Sequence, residues 1–421
     1  MNFYRITVKN LTFLLLIGMI LFFSACSNPA SSDQTGQPSS EGTSEGAKEG
    51  DVIKLGLSVP MSGAAASWGI TAEWVAKQAA KYFNEQGGVT VNGKKYTFEV
   101  IAYDNKYNSA EGAQVAQKLI HRDKVDFIIS SVGSAPTKAL QAISEPAKVI
   151  HFTTAWARDM KGPKYPYTFT TLNTPVEVVE PLYSYILGNN PNAKKVAIIN
   201  PNDATGTDTA NVSQEIWKIK GVDVVANEFY ERGTTEFSQI VTKIISQKPD
   251  IVDLGASSPG EAGLILKALK EQGWDGIKIM VAGTSGAQLL EAAGEAAEGV
   301  FLGLAPDFEG EKATDIQREL AKRAKEEINE QLNAISIQPW DSIAILKTAL
   351  EKAGTFEPDK LREVIPTLIY ETSYGKAAFG SETYYGSPQQ LLLPVTVTQI
   401  QNGKVVEVER VIPTELKEKI G

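Results

Sequence analysis

Short hydroxyl and small residues recur at the ends of apolar runs along this chain. They are the groups best placed to hold a ligand. Ser62, Gly63 and Trp68 follow the run 52–59. Ser131, Gly133, Ser134 and Ala135 close or follow 125–131, and Thr153, Thr154, Ala155, Trp156 and Ala157 close or follow 149–153. In the second half, Asp203, Ala204, Thr205 and Gly206 come after 194–200, Ser257 and Ser258 after 251–254, and Gly283, Thr284 and Ser285 after 277–282. Nearly every set stands where a helical pattern begins. Unpaired backbone N–H groups at a helix start, joined by hydroxyls, can hold a carboxylate without any arginine. Any one set is equally an ordinary helix cap, but six sets are more than capping alone explains. Trp68 adds a flat apolar surface to the first.

Catalytic signals are thin. The two histidines are His121, at a helix end, and His151, inside a strand, which is expected to be a packed strand residue. There is no metal-type spacing of Cys and His, no phosphate loop and no calcium loop, so no cofactor or metal is expected. Gly283-Thr284-Ser285-Gly286-Ala287 departs from the G-x-S-x-G elbow at its last position. A hydrolase built on Ser134 or Ser285 would need a base that neither histidine is placed to supply. Arg158 is expected either to pair with Asp159 or to reach an acidic ligand.

The elements that must position these loops alternate between strand and helix patterns. The run 52–59 is followed by a small-residue loop, 61–69, and then by helical spacing over 71–86. Strands over 97–103, 125–131 and 149–153 alternate with helices over 109–121 and 134–147. A second series follows: strands over 194–200, 222–230, 251–254, 277–282 and 298–304, with helices over 175–187, 206–219, 236–247 and 259–272. Such alternation implies an α/β fold with parallel sheets and helices on both faces, and the two series imply two lobes. Helices over 314–331, 340–353 and 358–365 come next, then a hairpin of 395–401 and 404–411 around Asn402-Gly403. The expected division is 51–172 plus 306–385 for one lobe and 173–305 plus 386–421 for the other. Repeated crossings between them would form a hinge.

The 421 residues, 43% hydrophobic, suffice for two such lobes, and the net charge of −9 disfavours nucleic acid as a partner. Residues 1–25 carry Arg5 and Lys9 before an apolar run, 11–23, which is short for a membrane span and suits a signal peptide. Phe23-Ser24-Ala25-Cys26 resembles a lipobox, which implies a diacylglycerol on Cys26 and a lipid anchor in the membrane. Cys26 is the single cysteine, so the folded part holds no internal disulfide. Residues 26–50, rich in Ser, Gly, Glu and Thr, are expected to be a flexible tether.

Four stretches carry a family resemblance: PMSGAAASWG at 60–69, KYFNEQGGV at 81–89, YDNKYNSAEGAQVAQKLI at 103–120 and QPWDSIAILKTALEKAG at 338–354. As a set they resemble the branched-chain amino-acid-binding family, the extracellular solute receptors of ABC importers with the type I periplasmic-binding-protein fold. The resemblance implies two Rossmann-like lobes joined by three crossovers, a small solute clamped between them, and a monomer that delivers it to permease and ATPase subunits outside the cytoplasm. It implies ligand contacts from Trp68, from Ser134 or Ala135, from the loop Thr153, Thr154, Ala155 and Ala157, and from Thr205 and Ser257 where relatives often carry Tyr. Leucine-type receptors hold the ligand's ammonium with a Glu where this chain has Gly283, followed by Thr284 and Ser285. Either Asp203 or another acid substitutes, or the ligand has no ammonium. Trp68, Trp156 and Trp340 would then line a pocket for an aromatic or other apolar carboxylate, or the receptor would take an amide. A sensor passing its closed form to a receptor kinase, and a secreted serine hydrolase, are the competing readings.

Overall fold

The computed structural model describes residues 51–421; Cys26 and the expected signal peptide and tether lie outside them. The chain opens with β1 (Val52–Val59), α1 (Ala66–Glu85), the hairpin of β2 (Val89–Val91) and β3 (Lys94–Asp104), and α2 (Ser109–Gln117). It continues through β4 (Phe127–Ser131), α3 (Ser134–Ser144), β5 (His151–Thr153) and β6 (Thr168–Thr170). After a crossing come α4 (Pro175–Asn189), β7 (Lys195–Pro201), α5 (Ala204–Ile219), β8 (Asp223–Tyr230) and α6 (Ser238–Ile245). The same series adds β9 (Ile251–Asp253), α7 (Pro259–Glu271), β10 (Ile277–Met280), α8 (Gly286–Ala293) and β11 (Phe301–Leu302). The chain returns through α9 (Asp315–Ile328), α10 (Gln338–Ala353), α11 (Pro358–Val364), β12 (Ile369–Thr372), β13 (Gly375–Gly380), α12 (Glu382–Tyr385) and β14 (Gln390–Leu392). It ends with the hairpin of β15 (Val395–Gln401) and β16 (Lys404–Val411), then α13 (Thr414–Ile420).

The two series build two sheets with one topology. The parallel strands run β3-β1-β4-β5-β6 in the first sheet and β8-β7-β9-β10-β11 in the second. Antiparallel strands extend the edges: β2 beside β3, β12 and β13 beyond β14, and β15 with β16 beyond β11. Because strand side chains alternate, Ile53, Leu55, Leu57 and Val59 of β1 enter one buried cluster with Val75 of α1 and Leu346 of α10. Ile128 of β4 packs on the opposite face with Leu119 and Leu140. The second sheet is covered in the same way. Val196 and Ile198 share a cluster with Leu182 and Trp217, and Ala197 and Ile199 share another with Leu266 and Leu289.

Between the sheets the backbone crosses at 171–174, 303–314 and 393–394. These crossings are tied together: Asn173 Nδ2 donates to the carbonyls of Leu393 (3.3 Å) and Pro394 (3.2 Å), and Thr398 Oγ1 donates to the Ala305 carbonyl. β14 pairs with β13 and β6, so Gln390–Leu392 belongs to the first sheet, whereas the expected division put everything from 386 into the second lobe. α13 also returns to the first sheet, its Leu416 packing on Ala378 and Leu392.

One correction concerns a candidate site residue. The stretch 61–69 is not a loop throughout: Gly63–Ala65 forms a 3-10 turn and α1 starts at Ala66, so Trp68 lies on a helix. Three alanines favour helix once Pro60 is passed. Gly69 lets that first turn lie against the backbone, since a Cβ there would meet the Pro60 carbonyl oxygen at 1.8 Å.

Candidate functional site

In open parallel sheets, ligands bind beyond the strand C-termini where the strand order reverses direction. Here that point lies between β1 and β4 in one lobe and between β7 and β9 in the other. Ser134 and Thr205 stand in the first turns of the helices that follow β4 and β7, Ser257 lies in the loop after β9, and Trp68 is on the helix that follows β1.

In the first lobe, Ser134 opens α3, and Pro136 removes one N–H from that end, leaving those of Ser134 and Ala135 without helical partners. Ser134 Oγ accepts from the Ala157 N–H at 3.1 Å, which draws the loop after β5 over the helix start. Beneath it, Ser131 Oγ bonds Thr153 Oγ1 (2.6 Å), Thr137 Oγ1 (2.9 Å) and His151 Nε2 (2.7 Å). Thr153 Oγ1 also accepts from the Ala155 N–H, and Thr154 Oγ1 donates to the Ser131 carbonyl. The hydroxyls of Thr153 and Thr154 therefore hold the loop together and are not turned to a ligand. His151 is fully buried, and burial pushes its imidazole down to about 3.

The second lobe presents one face of α5. Asp203 caps it, accepting from the Gly206 N–H at 2.8 Å. Thr205, Asp208 and Thr209, spaced i, i+3, i+4, fall on one side and meet the first lobe. Thr205 Oγ1 lies 2.8 Å from Ser134 Oγ and 3.4 Å from the Tyr107 hydroxyl. Asp208 accepts from both the backbone N–H and Nε of Arg158, each at 2.8 Å, and Thr209 Oγ1 accepts from Trp156 Nε1 at 2.8 Å. The lobes are closed on one another along this seam.

Several sequence expectations change here. Arg158 pairs across the cleft with Asp208, while Asp159 pairs with Lys138. Asp203 is not free to receive an ammonium, because its carboxylate is bound by Arg232 Nε at 2.6 Å. Arg232 also binds Glu261 Oε2 (3.0 Å) and the Ala256 carbonyl, and its guanidinium lies 5.0 Å from the Tyr107 ring centre. A Cβ at Gly283 would stand 2.3 Å from Leu302 Cδ2, so an acid there would require Leu302 to move. Ser257 Oγ turns back to the Leu254 carbonyl, and Ser285 caps α8 by accepting from the Gln288 N–H. Trp340 packs against Tyr82 and Phe83 inside the first lobe, whereas Trp156 reaches the seam.

Tyr107 and Arg232 also stand beside this seam, and the sequence reading did not name them. Tyr107 stands between the Trp68 ring, 5.9 Å away, and Arg232. Its partner Thr205 is 98 residues distant in sequence, so no local pattern marks the contact. An arginine followed by glycine in the short link after β8 was the available signal for Arg232. The Thr284 carbonyl accepts from the Ala334 N–H at 3.0 Å, which ties the start of α8 to the segment before α10. The mouth opens into a cavity of about 630 Å³ lined by Ser67, Pro259, Gln288, Glu291, Lys325 and Glu330, among others. Among the described residues no group of three or more His, Cys, Asp or Glu is placed to hold a metal ion, and no helix is long and apolar enough to cross a membrane.

Comparison with known proteins agrees with this architecture. The periplasmic binding protein family model matches residues 52–404. The leucine-, isoleucine-, valine-, threonine- and alanine-binding protein of Pseudomonas aeruginosa is 25% identical over 331 residues, covering 78% of this chain and 86% of the relative. The structure of a leucine-binding protein from Thermotoga maritima superposes with a TM-score of 0.74 at 22% identity, covering 86% of this chain and all of that one. A solute-binding protein of an R. palustris ABC transporter, solved in complex with benzoate, superposes with a TM-score of 0.72 at 18% identity, covering 86% and 97%. Two lobes of matching topology, three crossovers and the family match across both together establish that the chain belongs to the periplasmic binding protein family, with the type I fold of the leucine-binding proteins.

Proposed function

We propose that this protein is the extracellular receptor of an ABC importer, taking a small carboxylate-bearing solute into the cleft between its lobes and delivering it to the permease. The observation that supports this most is the convergence of the two switch-point loops, with Ser134 and Thr205 only 2.8 Å apart. The N–H groups of Ser134 and Ala135 and the Ser134 hydroxyl are the carboxylate's donors once the lobes part, and Trp68 and Tyr107 wall its apolar side. Thr205 and its neighbours on α5 close over the bound solute, shifting an open–closed equilibrium toward closed. A branched-chain amino acid is the first solute to test, because the P. aeruginosa relative is named for binding such residues. Cys26, outside the described residues, is the proposed attachment point of a lipid that holds the receptor at the membrane.

A receptor accounts for the site better than a hydrolase does. The Ser–His pair at the site, Ser131 and His151, is sealed from solvent, and His151 Nδ1 has no partner. The test is a thermal-shift and calorimetric screen of the purified chain against amino acids and organic acids. Saturable one-to-one binding of a carboxylate, weakened by Ser134→Ala, supports the proposal; absence of binding across the panel overturns it. Labelling with radioactive fatty acid, lost in Cys26→Ala, tests the anchor.

A further inference from the structure

On the hinge flank, away from the loops assigned to the solute, the first lobe holds a buried cation. Lys161 follows the 3-10 turn Arg158–Met160 and is 6% exposed. Its ammonium donates to Gln390 Oε1 and stands 4.1 Å from the ring centre of Tyr385 on α12. Both partners belong to the first lobe. α12 and the residues after it close over this segment. The Gly162 N–H donates to Gln389 Oε1 at 2.8 Å, and a Cβ on Gly162 would meet the Tyr385 carbonyl oxygen at 2.9 Å.

Tyr385 is also a bridge to the second lobe. Its hydroxyl donates to Glu177 Oε1, in the first turn of α4, at 2.7 Å, and lies 3.0 Å from Thr174 Oγ1 at the end of the crossing. The ring therefore rests on a cation of one lobe while the hydroxyl holds a carboxylate of the other. Three residues before Lys161, Arg158 binds Asp208 of α5. The segment 158–161 thus presents two cations, and the second lobe meets them with two carboxylates, Asp208 and Glu177. Asp159, the acid of the same segment, is turned to Lys138. A neutral amide and a ring replace only part of an ammonium's hydration. Burial pushes the Lys161 ammonium down to about 8, and the charges of Glu177 and Asp208 act against that shift.

We propose that Lys161 is a positioning residue for closure, its charge drawing Glu177 and Asp208 of the second lobe toward the first without touching the solute. This rests on the reading that closure holds the solute, and it adds a pH control on that step. The groups in contact with the Lys161 ammonium belong to its own lobe, so they stay when the lobes part and only the two carboxylates move away. The closed form then binds the Lys161 proton more tightly than the open form. The attraction is full while Lys161 is charged and is lost as pH rises through about 8.

The experiment measures closure without any solute, by disulfide trapping across the seam. Ser134 Oγ and Thr205 Oγ1 are 2.8 Å apart, so Ser134→Cys with Thr205→Cys, in a chain that also carries Cys26→Ala, brings two thiols within bonding reach only when the lobes are closed. Oxidised glutathione is the oxidant. Trapping rates with and without Lys161→Met are compared at each pH, which cancels the titration of the thiols. Lys161→Met is expected to trap about five- to tenfold more slowly at pH 7 and at the same rate at pH 9.5, where the lysine is neutral in both forms. Glu177→Gln, which keeps an acceptor for Tyr385, is expected to slow trapping at pH 7 and not at pH 9.5, and it carries the test from the opposite lobe if Lys161→Met fails to fold. A ratio that does not change with pH assigns Lys161 to packing and overturns the proposal, as does a ratio that widens with rising pH. Absence of trapping in every variant overturns the closed seam and the proposal with it. Failure to find a solute bears on the receptor reading and leaves this measurement intact.

Discussion

Replacing Asp208 with Ala separates closure of the lobes from the stability of either one. The Asp208 carboxylate takes two hydrogen bonds, both from Arg158 of the opposite lobe, at 2.8 Å each. No other hydrogen bond of this side chain is found among the described residues, so the second lobe keeps its internal bonding when the carboxylate goes. Hydrogen bonds to a charged group contribute about 1.5–3 kcal/mol each when well shielded. The Arg158 side chain is 32% exposed and that of Asp208 14%, so solvent screening brings the pair down to about 1–2 kcal/mol in total. The loss falls on the closed state alone. If the unliganded chain is mostly open, the apparent Kd rises by the factor the closed population loses, about 5- to 30-fold. Calorimetry with the tightest carboxylate measures that factor, and the melting temperature of the unliganded variant reports the stability of the lobes. A rise in Kd with little change in melting is the predicted pattern. Unchanged affinity would refute the idea that α5 is the latch, and a large drop in melting would show that Asp208 supports the lobe itself.

Other outcomes follow from the same geometry. Thr209→Val, which takes the acceptor from Trp156 Nε1, is expected to cost about 1–2 kcal/mol of closure and to raise Kd in the same assay. Its effect combined with Asp208→Ala should depart from additivity, since both act on one seam. Arg232→Leu leaves Asp203 and Glu261 without their cation and is expected to lose about 3–5 kcal/mol in chemical denaturation. Gly283→Ala drives a Cβ into Leu302 and should cost about 1–3 kcal/mol, with Leu302→Ala relieving part of that in the double variant. Asp341 is fully buried, and burial raises its carboxyl to about 7. Because the folded value lies above the unfolded one, its contribution is present below about pH 4 and is lost as pH rises through 7. At about 1.4 kcal/mol per unit the upper bound is ~4 kcal/mol. Asp341→Asn, which keeps an acceptor for the Ser373 N–H, should reduce the difference in melting between pH 5 and pH 8.

The parts of the fold visible in the sequence were those that local physics decides. β1 and the β15–β16 hairpin fall on their expected residues, 52–59, 395–401 and 404–411, and in the hairpin Asn402 and Gly403 adopt the positive φ values, 52° and 68°, that a tight turn needs. The alternation of strand and helix signals was enough to imply two α/β lobes. Short strands held mainly by their neighbours were not visible: β6 has three residues, and β14 three more supplied from over 200 residues away. Ser134 and Thr205, expected from their strand-end positions, meet across the seam, whereas no local pattern marked Tyr107 or Arg232 beside it. Side-chain hydroxyls misled in the opposite sense. Thr153 closes β5, Thr154 and Ser257 stand in the expected loops, and the hydroxyls of all three bond nearby backbone carbonyls. Residue type gives the capacity to hydrogen-bond, and only the packed chain decides where that capacity is used. The same holds for Asp203, which was a candidate ammonium ligand by position and is an arginine's partner in the fold.

The account stands on a carboxylate solute drawing the two lobes together. Small-angle X-ray scattering of the purified chain, with and without the tightest-binding carboxylate from the calorimetric screen, tests this most directly. The predicted result is a smaller radius of gyration with the solute present and a weaker response in Asp208→Ala at the same concentration. A carboxylate that binds one-to-one and leaves the radius of gyration of the wild-type chain unchanged, when the unliganded chain is not already as compact as the closed form, would contradict it.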